Sequence, residues 1–351
     1  MSPAAPASPA ASTSPSRPLG RVAVLGAHII DVLGRPVSDI PPGQGSARLA
    51  EIRATVAGTA AGTGVDLAKL GADVLAIGAV GDDLLADLLT GQLRRHGIDT
   101  GGLVRKRGVQ TSATILPIRP NGERPALHVP GATALLDRAD LDLAALGEVS
   151  ALLVGAPDAL GGLVGDGLAE AVEAARAGGA LIVVDVLRPG SPRDFERLAG
   201  LLARADWFAP NADQLAALTG ENELVAAIDR VLSLGTGGVA VTLGADGALV
   251  ARRRGGDPVH VPAIAVDVVD TTGCGDGFNA GLIAGLLLGA APADAAGLGV
   301  ACGALVATGL GSDAGIAGLE QVLGFLAAAS PGPAARLRAL AWPTVPAGKS
   351  V

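Results

Sequence analysis

VDVVDTTGCGDGFNAG, residues 266–281, sets two glycines around a cysteine, places an acid on either side, and runs directly into apolar sequence. The segment from Gly277 to Leu288 has the composition of a buried helix, so the glycines fall at its N-terminal entry. Unpaired N–H groups and a partial positive charge make such an entry an anion site. Gly273 and Gly275 let the backbone approach a ligand closely and admit positive φ, so successive amides can converge on a phosphate. Asp276 stands at the helix start beside that cradle, where a carboxylate can take a proton from a hydroxyl. An anion hole with a base next to it suits phosphoryl transfer. Two other phosphate motifs are excluded: GxxxxGK[ST] is absent, and Phe278 stands where a dinucleotide fingerprint needs Gly or Ala. Standing alone, the same residues also read as a capped turn.

Upstream, apolar β-type runs alternate with Ala/Leu-rich segments of helical period. RVAVLGA from Arg21, DVLAIGAV from Asp73, ALLVGA from Ala151, ALIVVDV from Ala180, DWFAP from Asp206 and GVAVTLG from Gly238 read as buried strands. LLADLLTGQLRRHG from Leu84, GLAEAVEAARAGG from Gly167 and NADQLAALTG from Asn211 read as helices. Continuous apolar strands separated by helices predict an α/β fold, its central, mostly parallel sheet covered by helices on both faces. Ligands bind such sheets where strands end and helices begin, which is where the opening stretch falls. Residues 31–56 and 103–130 break the alternation with more polar, period-two patterns such as TSATILPI, and predict a small sheet projecting from the main one.

The 351 residues are 49% hydrophobic, enough for a substantial core. A formal charge of -8 and no basic run longer than Arg252 to Arg254 argue against a nucleic-acid surface and for a small-molecule partner. Two cysteines, Cys274 and Cys302, build no disulfide framework, which points to the cytoplasm. Residues 1–19 are Pro/Ala/Ser-rich without the basic start or apolar core of a secretory signal, and are expected to form a disordered tail. The very apolar stretch from Gly281 is divided by Pro292 and Asp294 into two pieces too short to span a membrane, so buried helices are expected. The Pro-punctuated segment 330–351 reads as a loosely attached end, leaving 20–329 as the folded unit.

Several motifs then occur in order: an acid at Asp31 after the first strand, AGTAAGTGVDLAKLG at 57–71, GAVGDD at 78–83, PGA at 130–132, PNADQLAALTG at 210–220, TLGADGALV at 242–250, and DTTGCGD at 270–276. In these the chain resembles the ribokinase-like (PfkB) family of carbohydrate and nucleoside kinases, over roughly Arg21 to Leu326. The resemblance implies a small β-sheet lid, and magnesium-dependent transfer of the ATP γ-phosphoryl group to an alcohol, with a monovalent cation such as K+ a further candidate cofactor. It makes Asp276 the catalytic base and gives the amides of Gly273, Cys274 and Gly275 the charge on the transferring group. Phosphoryl transfer rests mainly on alignment and electrostatic stabilisation, so the physical reading agrees. Cys274 has no histidine nearby in sequence to activate it, so it is not expected to be a nucleophile.

By the same resemblance Asn211, Thr242, Gly244, Asp246, Gly247 and Thr271 lie on the nucleotide side. Asn211 opens a pattern like NxxE whose fourth residue is here Gln214. A neutral amide lacks the charge to hold magnesium-bound water, so metal contact through Asn211 and Gln214 is weakened unless Asp213 compensates. Asp31, Gly58, Thr59 and Thr63 are the expected acceptor residues. Ribokinases carry asparagine at two positions that are here Ile29 and Gly62, which counts against ribose itself. With no Tyr, four Phe and two Trp, the chain is poor in groups to stack a nucleoside base. A sugar or sugar acid is the expected acceptor. A nucleoside kinase of the same family, or a weakly catalytic binding protein on the same fold, is the alternative. Arg188 is a candidate for an acidic acceptor group, against its reading as a solvated loop residue. The lid is expected to pair two copies into a homodimer through an outer face carrying Ile115, Leu116 and Ile118.

Overall fold

Val22 and Val24 pack against one layer of helices and Ala23 and Leu25 against another, all four fully buried, as period-two side chains do in a strand covered on both faces. The computed structural model describes residues 19–121 and 123–340. Its first half runs β1 (Arg21–Gly26), β2 (Ile29–Arg35), β3 (Glu51–Ala57), α1 (Thr59–Lys69), β4 (Asp73–Gly81), α2 (Leu84–Arg95), β5 (Asp99–Lys106), β6 (Ala113–Pro117), β7 (Leu127–Val129), α3 (Leu143–Leu146) and β8 (Ala151–Gly155). The middle adds α4 (Asp166–Ala177), β9 (Leu181–Asp185), α5 (Pro192–Leu202), β10 (Trp207–Phe208), α6 (Ala212–Thr219), α7 (Leu224–Ser233), β11 (Gly238–Thr242), β12 (Ala248–Arg252) and β13 (Val259–Val261). Four helices close the chain: α8 (Cys274–Leu287), α9 (Pro292–Val306), α10 (Leu319–Ala329) and α11 (Pro331–Arg338).

The main sheet has the order β13-β12-β11-β10-β9-β8-β1-β4-β5 and is parallel except for β12 and β13. One core packs it against α1, α2 and α8 to α11, the other against α3 to α7. The C-terminal ends of β1, β8, β9 and β11 therefore lie side by side along one edge of the sheet, and the loops leaving them surround the site. No described helix is long and apolar enough to cross a membrane; the apolar stretch from Gly281 is α8 and α9, parted before Pro292.

The small sheet has the order β3-β2-β6-β7, with β2 and β6 parallel and both outer pairs antiparallel. Its register places Asp31, Thr55 and Thr114 side by side. Val32, Ala54, Ile115 and Leu127 line up across the opposite face.

Four expectations change. Residues 103–106 belong to β5 at the edge of the main sheet, because Leu103 and Val104 continue its pairing with β4. Leu116 and Ile118 do not share the outer face with Ile115: both are buried with Leu33 and Leu310, as the alternation of a strand requires of Leu116. Segment 330–351 is not loose where it is described, since Pro331–Arg338 forms α11, Ala334 and Leu337 are buried, and Arg336 makes a two-pronged bond to Asp294. Leu19, at the end of the expected disordered tail, is buried in the core. Residues 1–18 and 341–351 lie outside the described residues.

Candidate active site

The chain turns into α8 at Gly273, whose φ of 81° is left-handed and whose missing side chain leaves room for Ser312. Cys274, Gly275 and Asp276 form the first helical turn. Here Gly275 departs from expectation: it has ordinary helical backbone rather than positive φ, and its Cα faces open space. The amide of Cys274 makes a long 3.4 Å bond to the Thr271 carbonyl, while those of Gly275 and Asp276 have no partner within the helix. The preceding loop is fixed by Asp270, which accepts bonds from the Thr272 amide (3.0 Å) and hydroxyl (2.8 Å) and from the Gly311 amide (2.9 Å).

Asp276 is buried beside α1, and its carboxylate lies so close to Gly62 that any Cβ there would collide with it. Burial holds its pKa well above the usual carboxylate range, and the charges of Asp185, Asp66 and Asp31 add to the effect. Burial likewise pushes the Cys274 thiol up to about 12, so it stays protonated, in line with its expected lack of nucleophilic role.

A cavity of about 900 Å³ opens above the turn, of a size for a nucleotide and a small second ligand. It gathers thirteen of the expected positions: Asp31, Gly58, Thr59, Asn211, Gln214, Thr242, Gly244, Asp246, Thr271, Gly273, Cys274, Gly275 and Asp276. Two stand apart. Thr63 is fully buried within α1, and Gly247 (φ 93°) forms a turn packed on the backbone after β13. Thr63 misses the cavity because it lies one helical turn beyond Thr59, at the depth where α1 passes under α8.

On the acceptor side Asp31 is buried, which raises its pKa to about 6 against the hydrogen bond of Thr114 and the charge of Arg124. Thr114 in turn meets His128 Nδ1 at 3.1 Å. On the nucleotide side Asn211 caps α6 and bridges to Thr242 at the end of β11. Gln214 does not fit a metal contact. Its Oε1 accepts from the Asn211 amide and its Nε2 donates to the Val186 carbonyl, both at 2.8 Å, so both ends of the amide are engaged in holding α6 to the end of β9.

Three titratable residues of the cavity were not among the expected ones. Asp185 ends β9 facing the cavity, accepts a 2.7 Å bond from Asn279, and is pushed up to about 7 by burial. An acid closing a buried parallel strand was a signal in the sequence. Arg124, from the connection between β6 and β7, reaches across to Thr271 Oγ1 (3.2 Å) and stands 3.9 Å from Asp270. His128 lines the cavity from β7. Neither of these two carries a recognisable spacing. Arg188 lies at the cavity wall, largely exposed and 3.4 Å from Asp158.

A family model described as pfkB family carbohydrate kinase matches residues 20–317. A fructokinase of Klebsiella pneumoniae is 30% identical over 84% of this chain and 95% of its own. A ribokinase of Thermotoga maritima, solved by crystallography, has 25% identity and a TM-score of 0.70 over 87% of this chain and 98% of its own. A putative ribokinase II of E. coli, solved in complex with ATP and Mg2+, has 23% identity and a TM-score of 0.76 over the same shares.

Proposed function

The chain belongs to the pfkB family of carbohydrate kinases and is an ATP-dependent kinase, and we propose that it transfers the terminal phosphoryl group of ATP to a hydroxyl of a sugar or sugar acid. The observation that carries this reading is one cavity holding the Asp276 carboxylate, the open first turn of α8 and, across from them, Asp31 of the small sheet. Asp31 and the Thr59 hydroxyl bind and orient the acceptor. Asp276 takes the proton of the attacking hydroxyl, which a base with a raised pKa does well near neutrality. The amides of Gly275 and Asp276, at the positive end of α8, face the charge that develops on the transferring group. Arg124 closes the small sheet over the loop at Thr271, excluding water.

Magnesium, when bound, neutralises charge on the phosphates; Gln214 has no free group to hold it. The relative solved with ATP and Mg2+ supports including the metal. Relatives named for fructose and for ribose leave the acceptor open. No Phe, Tyr or Trp lines the described cavity, which disfavours a nucleoside. The active unit is residues 20–329 with α11 added, acting in the cytoplasm as a homodimer through the small sheet.

The engaged amide of Gln214 favours a second reading, a binding protein with weak catalysis. A coupled ADP-release assay across sugars, sugar acids, sugar phosphates and nucleosides separates the two. Turnover with a sugar or sugar acid is expected. Calorimetric binding of ATP and a sugar without ADP release would replace the first reading by the second.

A further inference from the structure

We propose that Asp66 is a positioning residue for the transfer: from behind Asp276, away from the cavity, its carboxylate keeps the base ready for the acceptor's proton. The proposal rests on the kinase reading above. Helices α1 and α8 touch where Gly62 meets the Asp276 carboxylate, and a Cβ on residue 62 would stand 2.3 Å from Asp276 Oδ2. Asp66 lies four residues on, one helical turn along the same face of α1. It is fully buried and does not line the cavity. Its Oδ1 is 3.4 Å from Lys69 Nζ, which also donates at 2.6 Å to the Asp313 carbonyl, so the cation is shared. Its Oδ2 has no partner among the described residues, and neither has the hydroxyl of Thr63 on the same face.

The groups facing Asp276 are Asp185 at the end of β9, Asp66 on α1, Asp31 on β2 and, opposing them, Arg124 between β6 and β7, with the Cys274 thiol on its own helix. Facing Asp66 are Lys69 on its own helix, Asp276 and Cys274 on α8, Cys302 on α9 and Asp313 beyond it. Burial keeps both thiols protonated, so neither adds charge. Asp31 and Asp185 line the cavity, so a bound nucleotide, cation or sugar alters what their charges do. Asp66 meets no ligand, and its charge acts on Asp276 throughout binding and transfer. A negative charge near a carboxylate in a poorly solvated place resists its ionisation. Asp66 gives up its proton at about 7, and above that pH Asp276 holds a proton more tightly, as a general base must. Removing the Asp66 charge therefore lets Asp276 ionise at lower pH and weakens it as a base.

Carbon-13 NMR of the full chain without ligands, labelled at the aspartate carboxyl carbons, reads the pair directly. The Asp276 resonance, identified by its loss in Asp276→Asn, is expected to move in two steps with pH, one of them shared with the Asp66 resonance. In Asp66→Asn the shared step vanishes and Asp276 ionises about one pH unit lower. The second readout is ADP release against pH at saturating ATP and Mg2+, with D-fructose or whichever sugar of the panel above turns over fastest. The acid limb of kcat is expected to move down by the same amount in Asp66→Asn and to stay in place in Asp66→Glu, which keeps the charge. A purely structural role would lower kcat at every pH and leave the limb where it is. Should Asp66→Asn misfold, the two-step titration of the wild type decides. A single Asp276 step in the wild type, or an acid limb unmoved in a folded Asp66→Asn, overturns the positioning role and leaves the kinase reading intact. Two coupled steps with no turnover of any sugar overturn the kinase reading, and the role in transfer with it.

Discussion

Among the described residues Asp276 forms no ion pair, and burial together with the charges of Asp185, Asp66 and Asp31 favours its protonated form. A base held in that state binds its proton strongly once it ionises, and the rate of transfer is expected to climb with pH through neutrality rather than level off at the usual carboxylate pKa. Asp276→Asn should lower kcat by about two to four orders of magnitude with little change in ATP affinity. Turnover near wild type would remove Asp276 from the chemistry. Immediately before it, open space lies above Gly275, where the proposed transfer would bring the phosphate. A Gly275→Val side chain fills that space and should cut kcat far more than Cys274→Ala, whose thiol is protonated and peripheral. Steady-state kinetics of the two variants decides it; equal damage would give the thiol a chemical role.

Helices α1 and α8 meet where Gly62 admits the Asp276 carboxylate, and one turn further along α1 Asp66 is fully buried, 3.4 Å from Lys69. Burial raises the Asp66 pKa to about 7, against about 4 in an unfolded chain. The group therefore stabilises the fold below pH 4, and that contribution is lost as pH rises through 7. Asp66→Asn is neutral throughout, so its melting temperature relative to wild type should rise between pH 5 and pH 8, by the equivalent of about 2 to 3 kcal/mol. A difference that stays flat over that range would show Asp66 ionised in the native state. The elements themselves were legible because their signals are local: unbroken apolar strands, Ala/Leu helices, and Pro292 parting α8 from α9. The glycine turn and the aspartate proposed as base were legible for the same reason, being seven adjacent residues. Gly62 was read as a lost amide, whereas its role is close packing against a residue 214 positions later, which no local pattern carries. Arg124 and His128 were hidden likewise, since their meaning depends on how the small sheet folds over the loop at Thr271. α11 was missed because prolines at its start read as punctuation, although Pro is well placed in a first helical turn.

At the scale of the whole molecule, the small sheet has two unlike faces. The inner one carries Asp31, Thr114 and His128 to the cavity, and the outer one leaves Ile52, Ile115, Leu127 and Val129 exposed around the half-buried Val32. A contiguous apolar sheet face on a chain of net charge -8 calls for cover, and a second copy supplies a matching surface by symmetry. Light scattering at micromolar concentration is expected to give a dimer, and Ile115→Glu a monomer. The proposed part of the same sheet in excluding water draws on Arg124, which bonds it to Thr271 beside the turn into α8. Arg124→Ala should therefore raise ADP release without acceptor, relative to sugar phosphorylation, by about tenfold, with a smaller change in acceptor KM. If Ile115→Glu raises that ratio as well, dimerisation is what holds the sheet shut. If only Arg124→Ala does so, closure belongs to each copy alone and the paired face serves to cover apolar surface. An unchanged ratio in both variants would remove the sheet from any part in excluding water.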